Sequence, residues 1–124
     1  MGGACRGDLI PMPGSLARYY AAQGGEVRVM GKPATVIYQM ALDELQLPAR
    51  DVVCIGDSME HDIEGAAAMG IDSLFVAGGI HAQYFAGGAP GQLAVTDANL
   101  EKMREQEAEV ASSMPTYAID YLRW

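Results

Sequence analysis

The stretch that most limits what this chain can become runs from residue 51 to residue 79. Two apolar, β-branched runs, "DVVCIGD" at 51–57 and "DSLFVAGG" at 72–79, are separated only by "MEHDIEGAAAMG" at 59–70. The connector is too long and too alanine-rich for a hairpin turn, and its small residues suit a short helix closed by Gly70. Strand, helix, strand at this spacing is the βαβ unit, whose strands run parallel. A nearly continuous apolar strand such as "VVCI" is expected to be buried on both faces, as in a parallel sheet covered by helices. The fold class is therefore α/β, a doubly wound parallel sheet.

The remaining segments extend that pattern. "MPGSLARYYAAQGG" predicts a helix with Pro13 near its start, Leu16, Tyr19 and Tyr20 at helical spacing, and Gly24-Gly25 as its end. "EVRVMG" predicts a short strand with Val27 and Val29 on one face. "KPATVIYQMALDELQL" predicts an amphipathic helix burying Val36, Ile37, Met40, Ala41 and Leu45, with Pro33 at its first position. Beyond Gly79, "IHAQYF" has room for one or two helical turns and "AGGAPGQ" is a loop. "TDANLEKMREQEAEVASS" predicts a charged helix with a solvated outer face, and the apolar tail "MPTYAIDYLRW" is expected to dock through Tyr117, Tyr121, Leu122 and Trp124. Three strands are expected, which is thin for a parallel sheet and leaves open edges.

With 124 residues, half of them hydrophobic and 19% charged, the chain has one domain's worth of ordinary globular sequence. Its formal net charge of -8 excludes a nucleic-acid surface and disfavours anionic membranes, because nothing here would neutralise a row of phosphates. No apolar stretch approaches the ~18 residues of a membrane span, and the cytoplasm is the expected compartment. The cysteines are Cys5 and Cys54. Cys54, inside an apolar strand, reads as a small buried hydrophobe, and no Cys/His cluster suggests zinc.

In open α/β sheets, ligands gather at the carboxyl ends of the strands, and Asp57 stands at one. Gly56 allows a tight turn before it, and Asp62 follows about one helical turn later. Two such carboxylates suit Mg²⁺, which favours oxygen ligands and typically takes one or two carboxylates plus a phosphate. The structural alternative has Asp57 or Ser58 capping the helix and Asp62 solvated. Lys32 sits at a helix N-terminus, where the helix dipole disfavours a cation, so it needs an anionic partner such as the Asp57 cluster. A lysine merely extended into solvent at a surface turn is the competing reading.

Taken together, Lys32 in "GKP", the amphipathic helix after it, "VVCIGDSMEHDI" and "GIDSLFVAGGIHA" resemble the third and fourth motifs of the haloacid dehalogenase (HAD) superfamily. The pattern is most similar to subfamily IIA, the NagD-like and 4-nitrophenylphosphatase-like hydrolases, over residues 9 to 85. The resemblance implies an incomplete HAD-like Rossmannoid three-layer core, with helices on both faces of the sheet. It lacks the N-terminal strands and most of the cap. Residues 1–30 would end the cap and return to the core; residues 31–124 would form the C-terminal half of that core. It further implies a Mg²⁺-dependent phosphatase working through an aspartyl-phosphate on a phosphorylated small molecule. Asp57 would bind the metal, and Asp62 would support it directly or from behind. Lys32 would be catalytic, steadying the nucleophile and the phosphoryl oxygens, with Gly56 and Ser58 in supporting positions.

The chain departs from that family in one respect. No DxDG motif supplies the nucleophile, since Asp8 in "CRGDLIP" has neither the strand before it nor the second aspartate after it. His61, read as an exposed helix residue, and His81, read as a loop residue near the site, do not replace it. Two readings follow: the C-terminal part of a longer phosphatase, inactive alone, or a non-catalytic HAD-like binding or structural module that self-associates. An in-frame DxDG strand upstream of Met1 would favour the first. On the first reading Val53, Ile55, Leu74 and Val76 should be under-covered, and the partner is the missing N-terminal half or a second copy of the chain. A receiver-like domain with strand-end aspartates leaves "GKP" unexplained.

Overall fold

The computed structural model describes residues 13–123. Cys5, Asp8, Trp124 and the first part of the expected cap remnant lie outside them. Three parallel strands form the sheet: β1 (Val53–Gly56), β2 (Asp72–Val76) and β3 (Tyr117–Ile119), in the order β1-β2-β3. Ile55 pairs with Leu74, and Leu74 with Tyr117, so alternate residues of all three strands share a face. The helices are α1 (Pro13–Ala22), α2 (Thr35–Leu45), α3 (Glu64–Ala68) and α4 (Asp97–Gln106). A wide π turn over Met59–Ile63 leads into α3. The incomplete α/β Rossmannoid core expected from the sequence is what the chain forms.

One face of the sheet carries the core. Phe75 and Ala77 are fully buried among Met59, Ile63, Phe85, Leu100, Met103 and Ala111. A second cluster joins Tyr38 and Leu42 of α2 to Ala66 and Ile71, with Cys54 against it. On the other face Val53 and Ile55 stay 46% and 49% exposed, while Leu74 and Val76 are half-buried. The described helices therefore cover one side, and the under-coverage anticipated for this strand set is sharpest on β1.

Several local expectations are corrected. "EVRVMG" is not a strand: Val27, Val29 and Met30 are exposed and pair with nothing among the described residues, and an extended segment without a ladder gains no backbone bonds. The third strand is instead in the tail. Glu64 holds the backbone N–H groups of Ser112 and Ser113, and Ser73 and Thr116 exchange backbone-to-hydroxyl bonds of 3.1 and 3.2 Å. The tail docks through its backbone, so Tyr117, Tyr121 and Leu122 remain exposed. In α2 the buried stripe is Tyr38 and Leu42, with Ile37, Met40, Ala41 and Leu45 exposed and Val36 half-buried. Tyr38 buries because its hydroxyl finds the His61 carbonyl at 2.6 Å, satisfying its polar end. Pro33 precedes the helix, which starts at Thr35. Helix α4 is not wholly solvated, since it plants Leu100 and Met103 in the core.

Candidate active site

β1 delivers Gly56, Asp57 and Ser58 to its carboxyl end, and the π turn folds the chain back over them. The Ser58 carbonyl accepts the N–H groups of both Asp62 (2.9 Å) and Ile63 (3.1 Å), which widens the turn. Asp62 is thereby swung onto the strand end, 7% exposed. Its Oδ2 accepts the Ser58 N–H at 3.0 Å and its Oδ1 meets Lys32 Nζ at 2.5 Å. Gly56 is required by this approach: a Cβ there would fall 2.2 Å from Asp62 Cγ. The Ser58 hydroxyl accepts the His61 N–H at 3.1 Å and so caps the turn.

Lys32, Ser58 and Asp62 thus form one bonded cluster, packed against Gly56. The carboxylate has left water but has gained an ammonium and an N–H in exchange, the condition under which a buried charge is tolerated. Lys32 keeps its side chain 53% exposed, so it faces solvent as well as Asp62. The anionic partner its helix end requires is therefore Asp62.

Asp57 is held from a different direction. The loop after β2 donates the Ile80 N–H to Asp57 Oδ2 at 3.0 Å. Gly79 lies so close that a Cβ would sit 2.0 Å from the same oxygen. Asp57 is the ionisable side chain lining an open cleft of about 300 Å³ with Ile55, Gly56, Val76, Gly78, Gly79 and Leu122. Sequence reasoning named Asp57 but not the Gly79–Ile80 backbone that fixes it. The paired glycines ending the second apolar run were the available signal.

The surroundings keep the neighbouring groups neutral. Burial, then the negative charges around it, pushes the Tyr38 phenol up to about 12. Burial and then Asp62 raise the Cys54 thiol against the opposing effect of Lys32. The shift favours the thiol over the thiolate. His61 is on the outside of the turn, half-exposed; His81 is buried, 7% exposed, behind the loop that holds Asp57.

The donor set can be tested against Mg²⁺. Both Asp62 oxygens are engaged within the protein, whereas Asp57, which lines the cleft, shows one bond among the described residues. Among the described residues no group of three or more His, Cys, Asp or Glu could hold an ion by itself. Asp57, a carboxylate on the cleft, is a donor suited to a hard cation that keeps most of its waters.

Comparison with known proteins gives the family and the fold. Residues 29–123 match the family model described as HAD-hydrolase-like. Similar curated proteins are an acid sugar phosphatase of Staphylococcus haemolyticus, 32% identical over 58% of this chain and 28% of its own length. A dihydroxyacetone phosphatase of Corynebacterium glutamicum is 33% identical over 58% and 26%. A D-glycerol 3-phosphate phosphatase of Mycobacterium tuberculosis is 37% identical over 61% and 21%. Among solved structures, a p-nitrophenyl phosphatase from Archaeoglobus fulgidus superposes with a TM-score of 0.63 at 30% identity, covering 90% of this chain and 37% of that one. The chain spans roughly a quarter of the length of these curated relatives.

Proposed function

Because the chain belongs to the HAD-like hydrolase family, we propose that it is the metal-and-lysine half of a Mg²⁺-dependent phosphatase of subfamily IIA, acting on small phosphate esters. The observation that carries this reading is the Lys32–Asp62 ion pair beside Asp57, at the carboxyl end of a parallel strand. Asp57 would hold the metal, with Asp62 as the anchor that fixes both the turn and Lys32. Bound Mg²⁺ would supply charge neutralisation for a phosphoryl group. Lys32 lies on the same cluster with its ammonium partly in solvent, placed to attract phosphoryl oxygens while Asp62 restrains it. The names of the relatives, which include sugar, dihydroxyacetone and glycerol 3-phosphate phosphatases, support small phosphate esters as the substrate class.

The attacking carboxylate of an aspartyl-phosphate reaction has no DxDG motif to supply it in these 124 residues. We therefore expect this chain alone to be inactive, with the half-exposed face of β1 as the place where the complementary half, or a second copy, packs. In this scheme residues 1–30 would be the end of the cap and residues 31–124 the C-terminal half of the core. The test is hydrolysis of p-nitrophenyl phosphate by the 124-residue chain with and without Mg²⁺, beside Asp57→Asn. The expected result is no turnover in any arm. Mg²⁺-dependent turnover abolished by the substitution would show a complete site and overturn the half-site reading.

A further inference from the structure

His81 lies outside the cluster just described, yet it touches both segments that define it. Its Nε2 accepts the Met59 N–H at 3.3 Å, two residues after Asp57. The residue before it, Ile80, donates its N–H to Asp57 Oδ2. The imidazole is 7% exposed and packs against Phe75 and Tyr84, each with ring centroids 6.1 Å away. Its other nitrogen, Nδ1, faces Glu107 Oε1 at 3.5 Å, and the same oxygen accepts the Tyr84 hydroxyl at 3.1 Å. Glu107 directly follows α4, and its own N–H is bonded to the Met103 carbonyl at 2.9 Å.

These contacts fix the chemistry of the ring. A nitrogen that accepts a backbone N–H has no proton of its own, so the proton of neutral His81 is on Nδ1, facing a carboxylate. A carboxylate behind an imidazole that is committed through its far nitrogen is the arrangement that sets ring tautomer and orientation around metal sites. Here the far nitrogen grips the backbone.

We propose that His81, oriented by Glu107 and Tyr84, is a positioning residue: it latches the loop 78–81 to the start of the π turn and so fixes the Asp57 carboxylate from both sides. Met59 is held through the imidazole and Asp57 through the adjacent Ile80 amide. Movement of either segment would release both. The purpose of the latch rests on Asp57 being the functional carboxylate, but its geometry does not.

The test is made on the whole 124-residue chain by NMR. Two-bond ¹H–¹⁵N correlation of the wild-type imidazole at neutral pH should show a protonated Nδ1 and an unprotonated Nε2. The opposite tautomer, or averaging between the two, overturns the proposal. Amide exchange at Met59 and Ile80 is then compared in His81→Gln, whose side-chain oxygen can accept the Met59 N–H, and His81→Phe, which fills the same space without an acceptor. Exchange at both amides should accelerate at least about tenfold in His81→Phe and be largely restored in His81→Gln. Equal exchange in the two variants, or an Ile80 amide that ignores both, overturns it. Neither readout uses Mg²⁺, so a chain that failed to bind the metal would sink the metal assignment while these spectra still decided the latch.

Discussion

The two faces of the sheet differ more than any two surfaces of this molecule. On one, Phe75 and Ala77 are closed off by the π turn, α4 and the short turn at Ala82–Phe85. On the other, Val53 and Ile55 of the same sheet are half in water. Apolar residues on the two faces of one sheet have opposite surroundings. The difference teaches that the apolar run specifies a strand prepared for two covers, while the described residues provide one. The candidate site sits at the strand ends between these faces, with Asp62 buried on the covered side and Asp57 lining a cleft beside Ile55 and Val76 of the open one.

The sharpest way to break that contrast is to truncate both faces. Phe75→Ala should cost about 3–5 kcal/mol, the usual range for emptying a fully buried aromatic site. Ile55→Ala should cost about 1 kcal/mol or less, since half of its surface already faces solvent. Urea denaturation of each variant measures the gap. Equal losses would mean that the open face is covered in solution.

Next in size are substitutions at the strand ends. Asp62→Ala should destabilise by about 2 kcal/mol, losing a charge-assisted bond to Lys32 and the acceptor for the Ser58 N–H. That is less than for a fully buried pair, because Lys32 is half-exposed. Gly79→Ala should cost about as much by pushing the Asp57 carboxylate aside. Thermal unfolding gives the stability change, and the Ile80 amide shift reports the displacement.

The tail strand supplies a pH test. Burial raises the Glu64 carboxyl, but hydrogen bonds from Ser113 and Ser112 outweigh it, and its pKa lies below the ordinary 4.5. A depressed folded-state value means that the associated stability is complete above the ordinary carboxylate range and is lost as pH falls through the lower folded value. Glu64→Gln should flatten stability against pH in that acid window and lower stability at neutral pH, where the wild-type contribution is complete. A slope unchanged by the substitution would place the tail's docking elsewhere.

The smallest effect belongs to Tyr38. Its phenol is raised from 10.0 to about 12, so its contribution is present below 10 and lost as pH rises through about 12. Tyr38→Phe should cost about 1 kcal/mol for the bond to His61 and remove the last tyrosine to ionise in an alkaline ultraviolet titration.

The parts legible in the sequence were those that local pattern determines. Apolar runs at 51–57 and 72–79, with a small-residue connector, led to β1, α3 and β2, and the "GKP" and "GDSMEHD" pair led to a HAD-like hydrolase. The missed parts depend on partners distant in the chain. Val27 and Val29 have strand composition but no neighbouring strand, whereas Tyr117–Ile119 becomes a strand because Glu64 and Ser73, more than 40 residues away, receive its approach. Helix α2 is rotated from its apolar stripe because one hydroxyl, on Tyr38, finds a carbonyl. The lysine and the two aspartates could be named from residue type and spacing. Which carboxylate pairs with the lysine and which lines the cleft could not, because that depends on the π turn and on the Ile80 amide.

The most direct test of the central claim is calorimetric titration of Mg²⁺ into the 124-residue chain, beside Asp57→Asn and Lys32→Met. Saturable one-to-one binding in the wild type, lost in Asp57→Asn and retained in Lys32→Met, is the predicted result. Inorganic phosphate added to the Mg²⁺-loaded chains should then bind the wild type and not Lys32→Met. Metal binding indifferent to Asp57 would contradict the account at its centre, because the carboxylate that lines the cleft would then not be the metal's ligand.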